Sequence, residues 1–157
     1  MADDVAAIAI GLLMATFMIK SAVFPFHFWQ PDFHTASPTA VSAMLSSVVV
    51  KLGVYGFLRM TTLLFVVHAE AIRALLVILG IAGVVVGGFS AIGTHNAKRL
   101  LAYSTIAHAG YTLMGVAAIA TNAVGDGAAA VAFYLFIYVL TNTLAFAVVI
   151  IFANATG

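Results

Sequence analysis

The 157-residue sequence has no cysteine, only three prolines and few charges, 7% of all residues. Without cysteine there are no disulfides, thiolate zinc sites, iron–sulfur ligands or cysteine nucleophiles. Six Lys+Arg and five Asp+Glu give a formal net charge of +1. Soluble domains carry roughly 25% charged residues, so these few cannot cover a soluble globular surface. Six scattered cations do not form the basic patch that nucleic-acid binding needs. With 64% hydrophobic residues, disorder is excluded as well. No GxGxxG, P-loop GKS/T, GxSxG or HExxH motif occurs. No loop is long enough to hold a nucleotide or an extramembrane active site. No catalytic, cofactor-binding or metal-ligating residue is assigned, and no cofactor is expected. What remains is an all-α integral membrane protein, a single transmembrane domain.

A membrane span needs about 20 mainly apolar residues. No charge occurs from Ala74 to Ala97, from Leu100 to Gly125, or from Gly127 to the end. Three spans follow, at about 74–94, 100–120 and 128–152. Val5–Ile19 runs apolar into Lys20, and Val41–Val67 is apolar apart from Lys51 and Arg59. Both read as spans, so about five transmembrane helices are expected, the first broken near Lys20–Pro25. Asp3 and Asp4 stand where a signal peptide needs positive charge, so the start reads as a span rather than a leader. Gly83 and Gly87 form a GxxxG pair, read as close helix packing. Lys98 and Arg99 are the basic pair of a short loop, which the positive-inside rule places in the cytoplasm. Alternation then puts the 24–38 loop and the C-terminus inside, and Met1–Asp4 and Asp126 outside.

A charge at the bilayer centre costs about 2.5–3.5 kcal/mol on insertion scales, so residues bearing that cost tend to be functional. Lys51 lies about ten residues into its helix, about 15 Å deep. Ser47 and Tyr55, four residues either side, share its face in a regular α-helix. A buried lysine changes protonation state readily, so Lys51 reads as a proton-exchanging group; the alternative is a structural lysine paired with a carboxylate. Lys20 precedes Ser21 and Pro25. It reads either as the lysine of a discontinuous helix lining a polar cavity or as a lysine snorkelling from a helix end. Arg59 is expected at the interface or paired with Glu70, and Glu70 with Arg73 forms a solvated i,i+3 pair.

His108 is mid-span, with Ser104 and Thr112 four residues away and Tyr103, Thr105 and Tyr111 nearby. The stripe suits a proton relay, because histidine titrates near neutral pH. It also suits local bonding of hydroxyls to their own helix. Tyr134, Tyr138 and Asn142 repeat every four residues and suit a helix contact or a cavity wall. In the stretch FPFHFWQPDFHTASP, His27, His34 and Asp32 match no standard ligand spacing. Phe24, Phe26, Phe28 and Trp29 read as interfacial aromatics.

Three blocks carry a resemblance: Lys20-Ser-Ala-Val-Phe-Pro-Phe-His-Phe-Trp-Gln-Pro-Asp32, Ala36-Ser-Pro-Thr-Ala-Val-Ser42 and Val50-Lys51-Leu-Gly-Val-Tyr-Gly-Phe-Leu-Arg59. Lys98-Arg-Leu-Leu-Ala-Tyr-Ser-Thr-Ile-Ala-His-Ala-Gly-Tyr111 continues it. Together they resemble the proton-antiporter transmembrane family. That family includes antiporter-like subunits of respiratory complex I, Mrp-type cation/proton antiporters and membrane-bound hydrogenases. The resemblance implies two inverted five-helix repeats per member. This chain looks like the end of the first repeat (about 1–67) and the start of the second (about 68–157), hence a fragment or half of a split subunit. It further implies that Lys20 is the lysine of the first broken helix, Lys51 that of the following helix, and His108 a polar group of the central hydrophilic axis. The family's glutamate partner of Lys20 and its second broken helix have no counterpart here. Thr141–Asn142, where many members carry histidine, resembles the N-type complex I subunit; His34-Thr-Ala-Ser-Pro38 looks more like hydrogenase and Mrp members.

The expected function is therefore proton translocation in a complex I-type NADH:quinone oxidoreductase, through Lys20, Lys51 and His108, supported by Ser47, Tyr55, Ser104, Thr112, Tyr138 and Asn142. Redox chemistry would belong to partner subunits of the membrane assembly, in the inner (plasma) membrane of a prokaryotic cell. The rivals are a Mrp-type cation/proton antiporter or hydrogenase subunit, and a non-transporting structural subunit.

Overall fold

The computed structural model describes the backbone of residues 2–63, 69–119 and 124–156, and side chains within 4–60, 70–119 and 127–155. The end of the second expected span and the side chains of Asp3 and Asp126 lie outside the described residues. All regular structure among the described residues is helical: α1 (Ala2–Lys20), α2 (Trp29–Ala36), α3 (Thr39–Met44), a π-helical turn (Leu45–Val49), α4 (Val50–Leu63), α5 (Ala69–Ile92), α6 (Ala97–Ile119) and α7 (Val124–Thr156). By length and hydropathy, three stretches suffice to cross a membrane: Thr39–Met60, Glu70–Ile92 and Gly127–Ala155. The sequence suggested about five. The span expected at 100–120 lies on α6, whose polar residues lower its hydropathy and whose inward positions fit a central helix. Ten α6 residues are buried, among them Thr105 and Thr112.

The expected break after Lys20 is present, but Pro25 is not what ends α1. Val23 N–H bonds the Met18 carbonyl at 3.0 Å, and Ala22 N–H bonds the Ile19 carbonyl at 3.1 Å. This pattern closes a helix with one left-handed residue, and Ala22 supplies it with φ 50°. Alanine there costs roughly 1–2 kcal/mol relative to right-handed backbone. The turn is held from outside as well: the Trp29 indole N–H donates to the Ile19 carbonyl at 3.1 Å. The chain then forms the short α2, becomes extended at Pro38 (ψ 143°) and re-enters helix at Thr39.

α6 packs between α5 and α7 and also meets α2 and α4. Its contact with α5 is close because glycines face it. A Cβ on Gly87 would lie 2.8 Å from Ala107 N, and one on Gly83 would lie 3.6 Å from Gly110 Cα. The GxxxG pair thus performs the packing role expected of it. One hydrophobic cluster, including Met14, Phe57, Leu76, Leu113 and Val131, joins α1, α4, α5, α6 and α7. Phe133, Phe136, Leu144, Ile151 and Phe152 point outward from α7, as apolar residues on a membrane-spanning helix do.

Candidate functional site

Lys51 is the second residue of α4, just after the π-helical turn. It is only 5% exposed, and its ammonium has no hydrogen-bond partner among the described residues. Instead the nitrogen lies 4.0 Å from the centroid of the Tyr138 ring, contributed by α7. A desolvated cation over an aromatic face gains about 2 kcal/mol. That offsets part of the burial cost but leaves the charge without a counter-ion among the described residues.

The tyrosine continues into a polar network. Its hydroxyl donates to Thr105 Oγ1 at 2.9 Å, while Thr105 gives its own hydrogen to the Leu101 carbonyl. Ser46 Oγ bonds Thr105 Oγ1. The Asn142 amide donates to both Ser46 and Ser47 at 3.0 Å. The π-helical turn makes this possible. A π-turn spaces hydrogen-bonded residues five apart instead of four, so Ser46 and Ser47 are both buried beside Lys51.

One expectation is corrected. Tyr55 does not share the inward face with Ser47 and Lys51: it is 45% exposed and accepts a hydrogen bond from Arg59 Nε at 2.7 Å. Ser46 takes the place that α-helical spacing gave to Tyr55. Only the backbone defect reveals it, since Ser46 stands five residues from Lys51, off its face in a regular helix.

His108 packs against the same tyrosine. Its ring centroid is 4.6 Å from that of Tyr138 and 5.8 Å from that of Tyr111, and its Nδ1 is hydrogen-bonded to the Tyr134 hydroxyl. Ser104, His108, Tyr138 and Asn142 line a recess of about 200 Å³ between α6 and α7. Thr112 bonds the carbonyls of His108 and Ala109 in its own helix, the local alternative to a relay. Lys20 ends α1 exposed. Among the described residues, no hydrogen bond or ion pair joins it to the cluster. Of the expected site residues, the structure gathers Lys51, His108, Ser47, Ser104, Tyr138 and Asn142, and adds Ser46, Thr105 and Tyr134.

The broken-helix region meets the start of α6. Asp32 accepts from Arg99 Nη2 at 3.3 Å, and the Lys98 ammonium donates to the Ser37 carbonyl at 3.0 Å. The 24–38 segment and the Lys98–Arg99 loop therefore lie on one side of the helical layer. Glu70 and Arg73 form the expected exposed pair at 3.6 Å. His34 is fully buried, its Nε2 faced by the Gln30 amide nitrogen at 3.3 Å. An amide N–H₂ can only donate, so with this placement of the Gln30 amide the imidazole nitrogen accepts. Burial first, and the Lys98 charge second, lower the His34 pKa to about 4. Asp32 and His34 are thus turned to different partners.

Comparison with known proteins agrees with this architecture. Residues 3–156 match the family model described as NADH:quinone oxidoreductase/Mrp antiporter, transmembrane. NADH-quinone oxidoreductase subunit N of Chlorobium chlorochromatii is 42% identical over 155 residues, which are 93% of this chain and 29% of that protein. Subunit M of Rhodobacter capsulatus is 40% identical over 114 residues, 73% of this chain and 22% of that protein. Among solved structures, a chain of the Mrp complex from a Dietzia species superposes with a TM-score of 0.80 at 28% identity, covering 89% of this chain and 25% of the other. The chain spans less than a third of the length of these relatives. A buried lysine, a polar network built across three helices and a match along almost the whole sequence place this chain in the NADH:quinone oxidoreductase/Mrp antiporter transmembrane family.

Proposed function

We propose that this chain forms the middle of an antiporter-like membrane subunit that translocates protons in a complex I-type NADH:quinone oxidoreductase. The observation that carries the reading is Lys51: a buried ammonium in a helix apolar enough to span a membrane, with no hydrogen-bond partner among the described residues, over a tyrosine ring that joins a network of hydroxyl and amide groups. Such a group has a function for its charge, because replacing it with an apolar residue would remove its desolvation cost.

In this reading Lys20 and Lys51 exchange a proton, and His108 passes it onward. Each protonation change alters the proton affinity of the next group by charge repulsion. Residues about 1–67 close the first inverted repeat, and about 68–157 open the second. Electron transfer belongs to partner subunits of the assembly. The Lys98–Arg99 loop and the 24–38 segment face the cytoplasm of a prokaryotic cell, with the N-terminus outside and the C-terminus inside. The positive-inside rule supports that orientation.

Lys51→Ala, introduced into the full assembly in vesicles, is expected to lower protons pumped per electron while leaving assembly and quinone reduction near wild type. An unchanged ratio overturns the role of Lys51. The likeness to the Mrp complex chain supports a second reading, cation/proton antiport without electron transfer. Transport driven by a sodium gradient alone, with no redox donor, would favour it.

A further inference from the structure

A second recess continues the α6–α7 seam beyond the first. It measures about 250 Å³, and its walls include Tyr111, Gly115, Ala118, Gly127 and Ala130. The recess is narrow at Gly115: a Cβ there would lie 2.8 Å from Val131 Cγ2, another of its lining residues. The first recess extends along α7 towards Ala145, and the second towards Gly127. Gly127 lies beside Ile119, the last residue of α6, so the second recess leads away from the Lys98–Arg99 loop at that helix's start. Each has room for several waters, at roughly 30 Å³ apiece.

Among the described residues, Tyr134 is the one side chain that lines both recesses, and its hydroxyl is the hydrogen-bond partner of His108 Nδ1. We propose that Tyr134 is the proton gate between the Lys51–His108 cluster and the membrane face on which Gly127 lies. The gate rests on the proton-translocation reading and adds to it an exit and the residue that controls it. When a proton reaches His108, the imidazolium Nδ1–H bond breaks and a new O–H bond forms on the phenol oxygen. The phenol's original hydrogen passes to a water in the second recess. His108 ends neutral, Tyr134 ends as an intact phenol and the water leaves as hydronium. A neutral His108 accepts the phenol hydrogen instead, which turns it away from the second recess and closes the path.

Two measurements on the full complex in vesicles test the gate. Tyr134→Phe keeps the ring and removes the hydroxyl. It is expected to lower protons per electron to the level of Lys51→Ala, and Tyr134→His, which restores a proton carrier, to recover most of the loss. If Tyr134→Phe pumps at the wild-type ratio while Lys51→Ala does not, the gate is wrong and the lysine reading stands. If neither substitution changes the ratio, the translocation reading fails and the gate with it. The second measurement does not depend on pumping. Ala130→Cys should react with a membrane-impermeant maleimide added on the face opposite the Lys98–Arg99 loop, and adding Gly115→Val, which fills the recess, should slow labelling severalfold. Labelling that is absent from that face, or indifferent to Gly115→Val, overturns the second recess as a water path.

Discussion

Lys51 and Tyr138 meet ammonium to ring face, 4.0 Å from nitrogen to centroid, and the tyrosine's hydroxyl is anchored at the same time by Thr105. One side chain thus receives the charge on its face and ties it to the neighbouring helix through its edge. These two tasks separate by substitution. Tyr138→Phe removes the bond to Thr105, at about 1 kcal/mol, and keeps the ring under the cation. Tyr138→Leu removes both and adds the loss of the cation–π contact, about 2 kcal/mol. Thermal unfolding of the purified assembly should therefore rank wild type, Phe and Leu in falling order. Equal Phe and Leu midpoints would mean that the ring face does not stabilise the charge.

The α5–α6 contact predicts a contrast between neighbouring glycines. A Cβ on Gly87 would come 2.8 Å from Ala107 N and 2.9 Å from the Tyr103 carbonyl oxygen, both backbone atoms, whereas one on Gly88 meets nothing within 4 Å. Gly87→Leu forces the helices apart and is expected to cost about 1–3 kcal/mol or more, with reduced accumulation in the membrane. Gly88→Leu should accumulate normally. Immunoblots of membrane fractions and melting of the purified protein read the difference. A Gly87→Leu protein as stable as wild type would show that the seam has slack.

Much of this arrangement is legible in the sequence. Charge-free runs mark α5, α6 and α7, expected at about 74–94, 100–120 and 128–152, and the expense of burying an ammonium points to Lys51. The spacing of Tyr134, Tyr138 and Asn142 marked one face of α7, and two of the three meet the Lys51 network. Ser46 is beyond reach because it depends on the π-helical turn at Leu45–Val49, and a local change of helical period leaves no mark in a residue pattern read at 3.6 residues per turn. Tyr55 follows Lys51 by one regular turn of α4, and spacing alone does not reveal that its side chain turns outward to Arg59. The left-handed Ala22 escaped for a related reason: glycine is the usual residue at such a helix end, and alanine gives no signal of it.

The contacts of Asp32 with Arg99 and of Lys98 with Ser37 bring two sequence-distant segments together at the start of α6. Single cysteines at Asp32 and at Asn96 should therefore label from the same side of sealed vesicles. That side should be the cytoplasmic one under the positive-inside rule. The ion pair itself is exposed on both partners, so Asp32→Asn should change stability by less than about 1 kcal/mol. Labelling of the two positions from opposite sides would contradict the fold.

His34 gives the last prediction, a pH dependence whose sign follows from its burial. It lies on α2, outside the three spans, with no exposed surface and its Nε2 facing an amide donor. Its pKa is lowered from 6.5 to about 4, by burial first and by the nearby Lys98 charge second. Between those values the unfolded chain binds a proton that the folded chain refuses. The contribution of neutral His34 is therefore complete above pH 6.5 and is lost as pH falls towards about 4. The slope of one such proton is about 1.4 kcal/mol per pH unit. His34→Gln keeps a polar side chain of similar length but cannot be protonated, so it should flatten this part of the stability profile. The measurement is the melting temperature of wild type and His34→Gln at intervals from pH 7.5 to about 4. The two curves should converge as the pH falls, because only the wild type carries the penalty. Parallel curves across that range would mean that His34 is protonated as readily in the folded protein as in the unfolded chain, and that its buried pocket is open to water.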